Sequence, residues 1–368
     1  MTGPFDLADP LGPEKVVHIS EAAVGLQAIV VIDNTAMGPS IGGVRMAPDV
    51  TLEECARLAR AMTSKNSAAG LPHGGGKSVI FGDPALPLSE KERLIRAFAR
   101  AIAQLEDYIP GPDMGTNEVC MAWVHDEIGR AVGLPRVVGG IPLDEIGATG
   151  FGVAIAAEVA ESFGGVRLKG ARVAIQGYGA VGRHAARFLA EKGARIVAVA
   201  DSRGTAISTD GFDLSRLDAI KSGGQGVIDY PHARVARQEA VITSECDILV
   251  PAARPDVINS NNVGAIKARL IVEGANIPTT EAAQAELHAR GVLLIPDFIA
   301  NAGGVICASV EYHGGTQAQA LATIAEKIAL NTREVLTRVR DQGIAPHAAA
   351  NALAKSRLRQ AMDLRRKF

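Results

Sequence analysis

The sequence predicts an α/β protein of two domains, and three observations carry that expectation. At 368 residues the chain is two to three times the usual single-domain length. After about residue 145, short apolar strands alternate with helices, the pattern of a doubly wound parallel sheet. Before that point strand and helix material is mixed with Gly/Pro punctuation, as in a smaller α/β unit. The expected division is an α/β domain over 1–143, a doubly wound domain over 144–340, and a helix over 341–368 that packs back on the first.

Residues 15–33 alternate as strands, VVHIS and LQAIVVID, about a polar turn. MGPSIGGVRM, 37–46, reads as Gly/Pro punctuation. A helix follows from Leu52 to Ala69, with the stripe Cys55, Leu58, Met62 continuing into Lys65. A lysine on an inward face must be partnered or act as a placed charge. Glycines then lead to Lys77 and a strand, Ser78–Phe81. Ser89-x-x-Glu92 reads as a capping box for a helix with Leu94, Ile95, Phe98, Ile102 and Leu105 inside. Tyr108–Asn117 is too rich in Gly and Pro for regular structure. Later elements are a helix at 150–163, strands at 171–176 and 195–200 around a helix at 182–192, and strands at 247–251, 269–273 and 292–295.

Composition bounds the function. Lys plus Arg is 38 against 40 Asp plus Glu, so the basic excess of a nucleic-acid or membrane-surface binder is missing. Cys55, Cys120, Cys246 and Cys307 are far apart, with no zinc or disulfide spacing, so no metal is expected. Neither a leader-like N-terminus nor a ~20-residue uncharged apolar run is read, so a cytoplasmic protein is expected.

Gly177-Tyr-Gly179-Ala180-Val181-Gly182 follows a strand and opens a helix, and Asp201 ends the next strand. The glycines provide the turn, the approach to a pyrophosphate and the helix–strand contact, while the acid accepts from a ribose hydroxyl. This predicts a dinucleotide. The acid favours NAD, because a carboxylate repels a 2′-phosphate. Ser202 and Arg203 follow at once and suit that phosphate, so NADP stays open. Gly76-Lys77-Ser78 is not a P-loop: Leu71 stands where glycine is needed, and the helix and strand are in the wrong order.

Lys65 and Lys77 lie in AMTSKNSAAGLPHGGGKSVIFGDP, 61–84. With it come GPSIGGVRM at 38–46, GPDMGTN at 111–117, ATGFGV at 148–153, CDILVPAA at 246–253, VEGANIPTT at 272–280 and PDFIANAGGV at 296–305. In collinear order over nearly the whole chain, these resemble the Glu/Leu/Phe/Val dehydrogenases.

The resemblance implies oxidative deamination of an L-amino acid to a 2-oxo acid and ammonium, reversibly, with hydride passing to NAD. It assigns catalysis to Lys77 and Asp113, the latter exchanging protons with the substrate nitrogen. It gives the α-carboxylate to Lys65, and places Gly42, Gly43, Gly111 and Asn276 at the substrate. Thr149, Ala252, Ala253, Asn276 and Asn301 join the nucleotide motif at the cofactor. It also implies a homo-oligomer, with 15–33 as a subunit contact, and no nucleic-acid or membrane partner. Hydrolysing an iminium needs a base near neutrality, which a free lysine at ~10.4 is not. Burial and the second lysine are expected to lower Lys77. His73 reads as a loop residue shaping a lid over Lys77, and His125 as structural. With the lysines in one domain and the nucleotide motif in the other, the reaction is expected in the cleft between them, closed against water.

Glutamate-specific members place lysine and serine where this chain has Ile41 and Ala308. A buried carboxylate lacking partners costs several kcal/mol, so Ile41, Gly111, Val305 and Ala308 favour a branched-chain or aromatic substrate. GPD at 111–113 agrees with that, whereas ATGFGV and DSRG look closer to glutamate-type members. Two alternatives stay open: a glutamate dehydrogenase using another cation, Arg45 or Arg254, with NAD or NADP, and a nucleotide-binding regulatory protein without chemistry.

Overall fold

The computed structural model describes residues 5–164 and 166–365, which fall into two compact units. The first contains the chain up to Pro142, Val305–Ala320 and the chain from Leu353 onward. The second contains Leu143–Gly304 and Leu321–Ala352. The stretch 144–340 is therefore not one body, because Val305–Ala320 belongs with the first unit.

The first unit carries β1 (Lys15–Glu21), β2 (Leu26–Asn34), β3 (Ser40–Ala47), α1 (Leu52–Ala68), β4 (Gly74–Phe81), α2 (Leu88–Ala101), β5 (Tyr108–Pro112) and α3 (Glu118–Ile128). Its sheet runs β1-β2-β4-β3-β5, with β3 parallel to β4 and β5, and β2 antiparallel to β1 and β4. Alternation in β2 sorts its side chains to two faces. Leu26, Ala28, Val30 and Ile32 meet α2 and α3 through Ile95, Phe98, Met121 and Val124, while Ile29 and Val31 meet Cys55 and Ala59 of α1. Each fully buried Ile or Phe contributes roughly 1.5–3 kcal/mol.

Three readings change here. The glycine-rich stretches 40–47 and 108–112 are strands, and β4 begins at Gly74, so Lys77 sits inside a strand. Lacking side chains, these glycines let strand and helix backbones close up: a Cβ on Gly75 would lie 2.0 Å from the Thr63 amide nitrogen of α1. The buried face of α1 is Cys55, Ala59, Thr63 and Asn66, whereas Leu58, Met62 and Lys65 form a half-buried flank. The α2 N-cap is Pro87, with no side-chain cap, so the capping box does not form.

The second unit contains α4 (Leu143–Ile146), α5 (Ala148–Ala160), β6 (Arg172–Gln176), α6 (Ala180–Glu191), β7 (Arg195–Asp201), β8 (Gly204–Ile207), α7 (Leu214–Ser222), β9 (Arg234–Ala236), β10 (Ile248–Pro251), β11 (Leu270–Val272), α8 (Glu281–Ala289), β12 (Leu293–Ile295) and α9 (Asp297–Ala300). The strand order is β12-β11-β10-β6-β7-β8-β9. Five strands are parallel, but β7–β8 and β8–β9 pair antiparallel, so the sheet is mixed at that edge. The nearly continuous apolar runs of β6, β7 and β10 suit strands covered on both faces.

Leu143–Phe163 is long and apolar enough to cross a membrane, with 61% of its window buried within the protein, as for a core helix. Three helices finish the chain: α10 (Gly303–Tyr312), α11 (Gln317–Gln342) and α12 (Pro346–Leu364). In the first unit the later part of α12 docks on the end of α1. Arg357 donates to the Ala68 carbonyl at 2.7 Å, and the Ser67 hydroxyl donates to the Ala354 carbonyl at 2.7 Å. The four cysteines are buried and free.

Candidate active site

In the first unit, the register of three parallel strands sets the geometry. Gly43 of β3 pairs with Gly111 of β5, and β3 also pairs with β4, which carries Lys77. Asp113 follows β5 directly. Its backbone amide donates to Thr116 Oγ1 at 3.0 Å, and its Oδ1 accepts from the Met114 amide at 2.7 Å. Its Oδ2 accepts a hydrogen bond from Lys77 Nζ, so these two residues, separated by 36 positions, meet as a pair. Gly43 makes the room: a Cβ there would lie 2.8 Å from Asp113 Cβ and 3.1 Å from Lys77 Nζ.

Lys77 is 6% exposed. Burial, and then the positive charge of Arg45, bring its amine down to about 8. The charge that lowers it is thus a guanidinium, not the second lysine. Arg45 Nε lies 3.5 Å from Asp113 Oδ2, and its Nη1 binds Glu54 Oε1 at 2.5 Å. Asp113 favours the charged amine, but Arg45 shares that carboxylate, so the pair joins an amine and a carboxylate that can each take up a proton. Sequence reading weighed Arg45 only as a substrate ligand. Its place beside this pair is set by β3, whose strand character went unread.

Ile41, Ile109, Val132 and Ala308 form a small apolar cluster in the same unit. Val305 is half-buried on α10, one turn before Ala308. Lys65 is half-buried in the last turn of α1. Gly42 packs against the backbone of Gly76. His73 forms no lid: it is 1% exposed, its Nδ1 is 3.1 Å from the Pro39 carbonyl, and its ring meets Tyr312 and His313. Burial pushes it down to about 4, so it is neutral at physiological pH. His125 is exposed on α3, where its carbonyl accepts the Gly129 amide that caps the helix.

In the second unit, Gly177 takes φ +97° at the turn after β6, and a Cβ on Gly182 would lie 1.9 Å from the Gly177 carbonyl. Gly179 is the N-cap of α6, with nothing within 4 Å of where its Cβ would be. That open space at the first-turn amides fits a dinucleotide pyrophosphate. Around it, Ala252 and Ala253 donate backbone amides to the Gln176 carbonyl and Oε1, at 2.7 and 3.2 Å. A Cβ on Gly274 would meet Val181 and Ala252, and one on Gly304 would meet Thr149. Asn301 Nδ2 donates to Asn276 Oδ1 at 2.9 Å. These contacts bring Gly177 to Ala253, Val181 and Ala252 to Gly274, and Asn276 to Asn301.

Asp201 is more occupied than its sequence position suggests. Its Oδ2 accepts from Lys221 Nζ at 2.6 Å and the Val227 amide at 2.9 Å, while Oδ1 accepts from the Arg203 amide at 2.9 Å. Burial pushes its carboxyl up, but those donors outweigh burial and hold it below the usual range. Lys221, on α7, was not foreseen, because no spacing rule joins it to Asp201. Its ammonium offsets the charge expected to repel a 2′-phosphate. Lys221→Met is accordingly expected to lower the ratio of kcat/KM with NADP to that with NAD by about tenfold; an unchanged ratio rejects this role.

The family model for Glutamate/Leucine/Phenylalanine/Valine dehydrogenase matches residues 139–366, and the model for the Glu/Leu/Phe/Val dehydrogenase dimerisation domain matches 13–130. The chain is 40% identical to a glutamate dehydrogenase of Aeropyrum pernix over 90% of its own length and 85% of the relative's. It is 44% identical to an NADP-specific glutamate dehydrogenase of Saccharolobus shibatae, over 76% of this chain and 69% of the relative. A catabolic NAD-specific glutamate dehydrogenase of Bacillus subtilis is 40% identical, over 76% and 68%. Among solved structures, a hetero-hexameric glutamate dehydrogenase from Thermus thermophilus in a Leu-bound form superposes with TM-score 0.84 at 31% identity, over 97% of this chain and 91% of that one. An L-tryptophan dehydrogenase from Nostoc punctiforme gives TM-score 0.75 at 25% identity, over 96% and 97%. A buried lysine paired with a half-buried aspartate, a dinucleotide turn and these collinear matches make the chain a member of the Glu/Leu/Phe/Val dehydrogenase family, an NAD(P)-dependent amino acid dehydrogenase.

Proposed function

We propose that this enzyme oxidatively deaminates L-glutamate to the 2-oxo acid and ammonium, reversibly, with Lys77 and Asp113 moving the protons. The Lys77–Asp113 pair carries the chemistry. The glutamate dehydrogenases at 40–44% identity support glutamate over the apolar substrates favoured by sequence reading. NAD(P) held at the Gly177–Gly182 turn would supply the acceptor for the hydride of the substrate α-carbon. The chain's own residues do the rest. Lys65 holds the α-carboxylate, Asp113 takes a proton from the α-ammonium, and Lys77 in its neutral form takes one from the water that attacks the imine carbon. Asp113 then returns its proton to the carbinolamine nitrogen, ammonia departs and takes up the hydroxyl proton to leave as ammonium beside the 2-oxo acid, and Lys77 releases its proton to solvent. Asn276, held by Asn301, orients substrate against cofactor. The working form is a homo-oligomer, in keeping with the dimerisation-domain match.

A second reading has its own observation. The cluster of Ile41, Ile109, Val132 and Ala308 offers a side-chain carboxylate no partner, and Arg45 is already bound by Glu54 and Asp113. Arg254 is exposed in the second unit. These features suit an apolar L-amino acid. Initial rates over glutamate, leucine, valine, phenylalanine and tryptophan, each with NAD and NADP, decide between the two. Highest kcat/KM for glutamate supports the first reading; negligible glutamate turnover beside efficient leucine or phenylalanine turnover replaces it with the second. No turnover of any of these amino acids would contradict both.

A further inference from the structure

A buried ionic network in the second unit is used by none of the steps above. Glu273, directly after β11, is 0% exposed. Its Oε2 accepts from the Asp297 amide at 2.9 Å and lies 2.9 Å from His347 Nε2, on α12. Its Oε1 is buried without a hydrogen-bond partner among the described residues. Asp297, 6% exposed at the start of α9, accepts the Ile277 amide on Oδ2 at 2.8 Å. Ile277 has φ +45°, the left-handed region that a β-branched residue avoids, so its conformation must be imposed. The residue before it is Asn276.

Full burial, and the Asp297 carboxylate beside it, make Glu273 costly to charge. Glu273, Asp297 and His347 bring ligand-type atoms within 4.8 Å of one another, and among the described residues these are the titratable groups that meet here. Phe298 closes the other side, its ring centroid 6.2 Å from that of His347. His347 is thus the cation that makes this arrangement tolerable. We propose that His347 is a positioning residue which, through Glu273 and Asp297, fixes the strained Asn276–Ile277 turn and so holds Asn276 in place. Burial works against a charged His347 ring, but the Glu273 hydrogen bond and charge outweigh it and raise its affinity for a proton above the usual histidine value of 6.5. The network is therefore complete below that value and weakens as pH climbs through the raised one.

The link to catalysis rests on the proposed place of Asn276, so the test has one arm independent of activity. Hydrogen–deuterium exchange at 274–278 is compared in the wild-type enzyme, His347→Ala, and His347→Ala combined with Glu273→Gln, alongside kcat and KM for the amino acid and the cofactor. Expected for His347→Ala are about tenfold faster exchange confined to that turn and about tenfold lower kcat/KM. Neutralising the stranded carboxylate with Glu273→Gln is expected to recover most of both. If His347→Ala does not accumulate as folded protein, His347→Gln, which keeps an N–H donor without the charge, is measured in the same way and is expected to show faster turn exchange. Wild-type exchange in either single variant, or no recovery in the double variant, overturns the proposal. Faster, rescuable exchange with unchanged kcat/KM would keep the positioning of the turn and remove Asn276 from catalysis.

Discussion

Replacing Lys77 by alanine is expected to lower kcat for oxidative deamination by about 10²–10⁴-fold, the usual contribution of a placed acid–base group. KM for the amino acid should change far less, because Lys65 keeps its place on α1 and the apolar cluster is untouched. Asp113 should remain ordered, since its Asx-type contacts to Met114 and Thr116 and its link to Arg45 do not involve Lys77. A variant that binds cofactor normally and turns over almost nothing is the expected phenotype, measured by steady-state rates and cofactor-fluorescence titration. Near-wild-type turnover would remove Lys77 from the mechanism.

The second large effect concerns the far end of the substrate. Ile41 and Ala308, 4% and 9% exposed, sit together with Ile109 and Val132. The double substitution Ile41→Lys with Ala308→Ser places an ammonium and a hydroxyl where now only methyl and methylene groups meet. If the side chain is received here with no charge partner, as in the second reading, a buried carboxylate gains roughly 3 kcal/mol when it acquires one, so kcat/KM for glutamate should rise about 100-fold. Leucine or phenylalanine turnover should fall by a similar factor, because the new polar groups are left unpaired beside an apolar side chain. A glutamate kcat/KM that does not rise would mean that this cluster does not receive the substrate side chain.

Much of this could be read in the chain, and what could not has physical reasons. The dinucleotide turn was legible because each glycine has a backbone task at a fixed spacing; the structure shows the positive φ at Gly177, the close contact at Gly182 and open space at Gly179. Strands β3 and β5 were not legible: their glycines and prolines signal turns locally, and only packing against β4 and α1 reveals them as strands. For the same reason Lys77 was placed just before its strand rather than inside it, although burial was expected to lower its amine. The short strand β8 and the edge strand β9 have only four and three residues and were missed. The cations that matter most electrically, Arg45 beside Lys77 and Lys221 on Asp201, come from other elements. A spacing rule within one segment does not reach across a sheet.

The pH dependence of kcat/KM for oxidative deamination tests the central claim most directly, namely that burial makes the Lys77 amine a usable base. With an amine brought down to about 8, roughly a tenth of the enzyme carries the neutral form at pH 7. Activity should therefore climb about tenfold per pH unit below 8 and level off above it, and Arg45→Met, which removes a neighbouring positive charge, should move that inflection upward. An inflection near 10, or one indifferent to Arg45→Met, would contradict it.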